Sequence, residues 1–305
     1  EISSTGYAVF SNKQAIYVIS TLEQGIQNRG DIVDSEEAIS SSDYSATNRI
    51  INIDFDPTTG TVAAIRQKSS ELFSILLYRL DQADGSLTPI TVNSASDPSN
   101  EVVLPRGEII GFGSNVAFDD TGTVFYIASS STGTLYSYSV ASSGGLVSNG
   151  TYEDFADGSI QAAYSNPRKL IYRSLKQADK ELPLVYISRP FGISRPFGKK
   201  PSKLLVVNAK SSTSVSNFSF TEEQALQIAV TEDGSSVYVA SNNGTLCKIH
   251  TLTGERKEII SSSEGLLNMT LDESIGLIAT TSVQTALTKA ENSATAATVK
   301  LLRLE

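Results

Sequence analysis

The twelve residues Val230-Thr-Glu-Asp-Gly-Ser-Ser-Val-Tyr-Val-Ala-Ser241 hold the pattern on which the fold turns. Asp233-Gly234 is a tight-turn pair, and the β-branched and aromatic run after it alternates as a strand does. Upstream, Leu226-Gln-Ile-Ala-Val230 is a second short strand. Downstream, Thr245 to Leu252 and Glu258-Ile-Ile260 are two more, separated by Gly254. One phrase therefore spells four antiparallel strands joined by short turns.

The phrase recurs. Ile51-Asn-Ile-Asp-Phe-Asp56 meets the turn Pro57-Thr-Thr-Gly60, then Thr61 to Ile65, Phe73 to Leu80 and the turn Asp84-Gly85. Asn115-Val-Ala-Phe-Asp119 meets Asp120-Thr-Gly122, then Val124 to Ser129, Thr134 to Val140 and Gly144-Gly145. The turn glycines Gly60, Gly122 and Gly234 stand 62 and 112 residues apart, and the second interval is close to two units of 56. A further unit is therefore expected between Gly158 and Thr221, with strands at Ile160 to Ser165, Leu184 to Ser188, Lys203 to Asn208 and Val215 to Phe220. Weaker copies stand at Tyr7 to Ser20 and from Leu266 to Arg303. A four-strand unit repeated every 40 to 60 residues is the signature of a β-propeller blade.

The expected architecture is thus all-β, a single propeller over residues 1–305 with six four-stranded antiparallel blades, or seven if Glu23 to Thr47 hides strands. Pairing of the N-terminal segment with the last strand, Val299 to Arg303, would close it and remove the free sheet edges. A pair of β-sandwiches or a β-helix fits the repeated four-strand phrase less well.

The phrases 118–129 and 230–241 resemble the Asp-Gly, Tyr-Val-Ala blade motif of the YVTN and lactonase-type propeller superfamily. Because that motif builds a turn and packs a blade, the resemblance implies a fold more than an activity. It offers lactone hydrolysis as one function. WD40 propellers lie close by, but this chain has no Trp and a single His. The lactonase enzymes usually display His and Arg around the central channel, a pattern from which this chain departs.

Composition restricts the chemistry. With one cysteine, Cys247, and one histidine, His250, in 305 residues, neither an intramolecular disulfide nor a His/Cys zinc site can be assembled. No run reaches the apolar length of a membrane helix. The single methionine, Met269, is internal, so the chain is expected to be part of a longer translation product, and its compartment stays open. Alternation puts Leu246, Lys248, His250 and Leu252 on one face of a strand and Cys247, Ile249 and Thr251 on the other. His250 reads first as a structural or surface residue, and Cys247 as a small buried hydrophobe. The acidic pairs Asp119-Asp120 and Glu232-Asp233 fall in blade turns and lack EF-hand spacing, so neither a metal nor another cofactor is expected.

Charge is the strongest feature outside the repeats. Residues 168–203 hold ten basic residues against two acidic ones, a formal +8, which leaves −17 of the whole-chain −9 on everything else. Within the stretch stand identical tandem copies, Ile187-Ser-Arg-Pro-Phe-Gly192 and Ile193-Ser-Arg-Pro-Phe-Gly198, then Lys199-Lys200-Pro201. The proline density reads as an exposed loop or polyproline-like arm inserted in one blade. Arg168, Lys169, Arg173, Arg189, Arg195, Lys199, Lys200 and Lys203 are its candidate anion-binding residues, with Phe191 and Phe197 as apolar anchors. A solvated insertion that balances an acidic body is the plainer reading of the same residues.

The functional expectation is a monomeric, non-enzymatic propeller scaffold that binds a protein partner, one bearing an acidic segment, through blade loops and the arm 187–203. Nucleic acid is disfavoured, because the acidic remainder repels phosphate. The alternative is a lactonase-like hydrolase of an anionic sugar lactone, in which an arginine holds the substrate and a carboxylate activates water.

Overall fold

The computed structural model describes residues 7–11, 16–20, 27–28, 49–56, 59–68, 72–81, 83–91, 101–103, 115–128, 135–140, 146–152, 169–177, 180–189, 192–194, 198–200, 202–210, 214–220, 225–241, 243–261, 266–283 and 297–303. All regular structure among them is β, and every pairing is antiparallel. The chain divides into two compact units, Glu1–Ala163 and Tyr164–Glu305.

Among the described residues the first unit carries three sheets. β1 (Tyr7–Ser11), β2 (Ile16–Ser20) and β3 (Gln27–Asn28) form one. The second is β4 (Arg49–Asp56), β5 (Thr61–Gln67) and β6 (Phe73–Leu80). Two short strands share its outer edge: β7 (Leu87–Pro89) pairs with the end of β6, and β8 (Glu101–Val103) with its start. The third runs β9 (Asn115–Phe118), β10 (Val124–Ala128), β11 (Leu135–Val140) and β12 (Leu146–Tyr152) in chain order.

The middle sheet is buried on both faces. Val62, Ala64, Leu76 and Tyr78 pack with Tyr7, Val9, Ile16 and Val18 of the first sheet. The alternate residues Ala63, Ile65, Ile75 and Leu77 pack with Val116, Phe118, Phe125 and Ile127 of the third. This explains why β5 and β6 read as continuous apolar runs rather than as an inside-outside alternation. Each Val, Ile, Leu or Phe among them, taken out of water, contributes roughly 1.5–3 kcal/mol before the cost of ordering it.

The second unit repeats the arrangement. Its first sheet is β13 (Lys169–Gln177), β14 (Lys180–Arg189), β17 (Ser202–Asn208) and β18 (Ser214–Phe220). Between β14 and β17 runs a separate two-stranded ribbon, β15 (Gly192–Ser194) and β16 (Gly198–Lys200). Next come β19 (Ala225–Val230), β20 (Ser236–Ser241), β21 (Thr245–His250) and β22 (Arg256–Ser261), then β23 (Leu266–Asp272), β24 (Leu277–Val283) and β25 (Ala297–Arg303). Again the middle sheet is covered twice. Ile228, Val230, Val237 and Val239 meet Leu184, Tyr186, Leu204 and Val206 on one side, while Ala229, Tyr238, Ala240 and Leu246 meet Leu266, Met269 and Ile278 on the other.

Two readings change, and a third cannot be compared. The stretch expected to be one inserted arm contains two strands of the sheet, β13 and β14, so Lys169 and Arg173 belong to the blade-like body. The expected strand Ile160 to Ser165 lies outside the described residues, and β13 is the strand that pairs with β14. Pro183, expected to bar a central ladder, is buried within β14. Its carbonyl accepts the Ala209 N–H at 2.9 Å, one step past the last β14–β17 pair, Leu184 and Asn208. The N–H that proline lacks is thus missing only at the final rung, where it costs least. At the termini, β1 pairs along β2 and β25 along β24.

Candidate binding site

The Asp-Gly turn that decides the fold also borders a cleft. Gly234 holds a φ of 70°, which favours glycine, and a Cβ there would lie 2.8 Å from the Ser174 carbonyl oxygen and the Leu175 Cα. The turn is pressed against the neighbouring strand β13, and Lys176 donates its N–H to the Asp233 carbonyl at 2.9 Å. From beneath, the Tyr186 hydroxyl donates to the Gly234 carbonyl at 2.9 Å and the Thr251 hydroxyl to the same oxygen at 2.7 Å. Complete burial pushes the Tyr186 phenol up to about 12; the Thr251 hydrogen bond lowers it, the Asp233 charge raises it, and Arg173 lowers it.

Above this floor opens a cleft of about 400 Å³ lined by Lys176, Thr231, Glu232, Asp233, Ser235, Lys248 and Glu273. Burial raises the Asp233 carboxyl, but hydrogen bonds from the Ser235 N–H and the Thr231 and Ser235 hydroxyls outweigh it and hold the group below the usual range. Glu273, in the turn after β23, accepts the Glu232 N–H. Lys248 lies over the Tyr238 ring, 5.5 Å from its centroid. Read singly, 231–235 is a turn. The cleft arises because equivalent turns of successive repeats come side by side, a consequence that the spacing of the repeats holds but that no linear motif displays.

The first unit uses the same device. A Cβ on Gly122, whose φ is 64°, would overlap the Asp56 carboxylate and the Thr59 hydroxyl of the preceding sheet. Asn52 and Asp54 of β4 accept the backbone N–H groups of Val116 and Phe118 at 3.1 and 2.9 Å. Polar residues on the first strand of one sheet thus satisfy donors on the first strand of the next.

The candidate basic residues are divided. Lys169 begins β13, half-buried, with its N–H on the Ser188 hydroxyl at 3.0 Å. Arg173 is half-buried in mid-strand, turned by alternation to the face that carries Leu175. Arg189 and Lys203 stand directly opposite each other where β14 and β17 end at the ribbon. Lys199 and Lys200 are on β16, opposite Ile193 and Gly192. Arg168, Phe191, Arg195 and Phe197 lie outside the described residues. The register places Lys169, Arg189 and Lys203 at one end of the sheet, while Lys199 and Lys200 stand on the separate ribbon.

That ribbon stands where the sequence suggested a polyproline-like arm. Arg189 faces Lys203, and three residues further along each strand Gly192 faces Lys200. The two pairs keep the same residue offset, although the ribbon is a sheet separate from β14 and β17. The tandem copies have different fates. Ile187 and Ser188 are fully buried in the sheet, whereas Ile193 and Ser194 belong to the ribbon.

His250 and Cys247 have structural partners. His250 closes the β21–β22 turn: its Nδ1 accepts the Thr253 N–H at 3.2 Å, its carbonyl accepts the Gly254 N–H and its own N–H meets the Glu255 carbonyl. A neutral imidazole so placed carries its proton on Nε2. Cys247 is buried, with the Arg256 Nε–H on its sulfur at 3.1 Å. The Asp119 carboxylate is taken up by the Thr121 hydroxyl and the Thr123 and Val124 N–H groups, as a turn residue's would be. Among the described residues no group of three His, Cys, Asp or Glu side chains could hold a metal ion.

No protein-family profile matches the chain, and no curated protein matches it in sequence. Solved structures do. A Bacteroides fragilis protein described as a candidate 6-phosphogluconolactonase aligns at 13% identity over 85% of this chain and 68% of its own, with a TM-score of 0.56. The periplasmic gluconolactonase of Pseudomonas aeruginosa aligns at 18% identity over 87% and 69%, with a TM-score of 0.54. A chain of the nidogen/laminin complex aligns at 10% identity over 91% and 88%, with a TM-score of 0.51. At such identities the likeness shows the fold alone: this chain resembles the lactonase-type β-propellers at the level of fold.

Proposed function

We propose that the protein is a propeller scaffold of blade-like sheets, closed through its termini, that binds a protein partner through the basic ribbon 189–203. The observation that carries this reading is the ribbon itself. A two-stranded extension that leaves a packed sheet adds little to the core, and it concentrates cations on an otherwise acidic chain. The fold suits display, since packed sheets hold their connecting loops rigidly. A chain of a protein–protein complex, nidogen/laminin, is among the structures it resembles.

The test is affinity capture from the source organism's lysate with the intact chain and with a version in which residues 190–201 are replaced by a Gly/Ser linker. Ser188 and Arg189 stay, because Ser188 is buried in β14. A partner that is retained by the intact chain and lost from the replaced one supports the reading. Identical captures contradict it.

A second reading has its own support. Two of the structures that the chain resembles are described as lactonases, and the cleft sets Lys176 and Lys248 beside Glu232 and Glu273. A lysine there would hold an anionic sugar lactone while a carboxylate takes a proton from the attacking water. Addition of that water at the lactone carbonyl and cleavage of the ring C–O bond give the open sugar acid. Hydrolysis of a sugar-lactone panel, lost in both Glu232→Gln and Glu273→Gln, would establish this reading. Its absence across the panel would remove it.

A further inference from the structure

We infer that the cleft beside the Asp233-Gly234 turn binds a small zwitterion, one short molecule that carries both an ammonium and a carboxylate. The inference is independent of the ribbon, and it gives the cleft an occupant that is held rather than hydrolysed.

Five charged side chains line this cleft, the cations Lys176 and Lys248 and the anions Glu232, Asp233 and Glu273. They come from three neighbouring sheets. Lys176 is near the end of β13, Glu232, Asp233 and Lys248 belong to the middle sheet, and Glu273 follows β23. Both signs share about 400 Å³, yet among the described residues neither lysine has a carboxylate within 4.0 Å of its ammonium. Three of the five are fixed by other contacts. Lys248 lies over the Tyr238 ring, 5.5 Å from its centroid. Asp233 accepts the Thr231 hydroxyl at 2.7 Å and the Ser235 N–H at 2.9 Å, and Glu273 accepts the Glu232 N–H. The packing of the sheets therefore keeps opposite charges apart, and each keeps capacity for a further hydrogen-bond partner.

Charge and size select the occupant. Two positive and three negative side chains leave −1 at neutral pH, so a simple anion meets net repulsion, while a simple cation leaves both lysines unanswered. A molecule with both groups sets its carboxylate on a lysine and its ammonium on a glutamate, and neither end is opposed. The volume is that of a small-molecule site. No aliphatic or aromatic side chain is among the lining residues, so nothing in the cleft favours a bulky apolar group.

The experiment is isothermal titration calorimetry of the whole chain with ω-amino acids of increasing length: glycine, β-alanine, γ-aminobutyrate and ε-aminocaproate. Butylamine, butyrate and gluconolactone are the comparisons. The variants are Lys176→Gln, Lys248→Gln, Glu232→Gln and Glu273→Gln, together with the version in which residues 190–201 are replaced, which keeps the cleft. The expected result is saturable binding of at least one amino acid, roughly tenfold tighter than that of butylamine or butyrate. A loss of roughly threefold or more is expected in a lysine variant and in a glutamate variant alike, and replacement of the ribbon should leave binding unchanged. Amino acids that bind no better than the singly charged compounds overturn the inference. Sensitivity to one sign of charge alone, or to neither, overturns it as well, and so does binding lost with the ribbon. Gluconolactone bound in preference to every amino acid also overturns it, and strengthens the second reading.

Discussion

Gly234 joins backbone conformation to packing at a single residue. Any side chain there has to adopt a φ of 70° and also displace the backbone of Ser174 and Leu175. Gly234→Ala should therefore destabilise the chain by about 2–4 kcal/mol, the sum of left-handed strain and overpacking. Urea denaturation measures this, and a midpoint unchanged from wild type would show that the turn is not pressed on β13. Tyr186→Phe is milder. The Gly234 carbonyl keeps the Thr251 hydroxyl as donor, so the expected cost near neutral pH is about 0.5–1.5 kcal/mol.

Tyr186 also sets an alkaline limit. Its phenol ionises near 10 when unfolded and at about 12 in the fold, so the unfolded chain releases that proton first. The stabilisation is complete below pH 10 and is lost as pH rises toward 12. Across that window wild type should lose about 2–3 kcal/mol relative to Tyr186→Phe. Parallel stability curves for the two proteins would contradict a buried, hydrogen-bonded phenol.

Strands and turns show what sequence makes visible and what it hides. The phrase read at 226–260 lies in β19 to β22, and those at 51–80 and 115–140 lie in β4 to β6 and β9 to β11. These elements carry strong β-branched or aromatic runs bounded by Asp and Gly. The elements that escaped, β3, β7, β8, β12, β13 and the ribbon, are short, polar or basic. Lys169–Gln177 is half charged or polar because it stands at a sheet edge, with only residues such as Leu170 and Leu175 fully buried. The basic composition of 168–203 concealed β13 and the ribbon, whereas β14 was legible from Leu184 to Ser188 and only its first residues, Lys180 to Pro183, were missed. The cleft was hidden for a different reason. Thr231 to Ser235 and Glu273 are far apart in sequence and meet only when neighbouring sheets stack.

Two predictions belong to elements. Asp54 accepts the Phe118 N–H across neighbouring sheets, so Asp54→Ala should cost about 1–3 kcal/mol through an orphaned donor. Hydrogen exchange should report lost protection at the Phe118 amide, with Asp54→Asn closer to wild type. Deletion of Ile193 to Gly198 removes one tandem copy but spares Ile187 and Ser188, which are buried. The four-stranded sheet should then fold with near-native stability and a shortened hairpin. A collapse in thermal stability would place the ribbon in the core.

At the scale of the whole molecule, each unit stacks three sheets so that the middle one is buried on both faces. The turns between first and second strands are pressed into the preceding sheet. The ribbon is a connection that departs from the repeat. Sequence carries the repeat, the fold-level likeness and the charge asymmetry together, whereas activity is carried by whichever surface meets a ligand.

The central claim, that partners are met through residues 189–203, is tested most directly by hydrogen exchange on a complex isolated by capture. The account predicts new amide protection concentrated in β15, β16 and the adjoining ends of β14 and β17. Protection confined to the cleft around Glu232 and Glu273, with the ribbon exchanging as in the free chain, would contradict it.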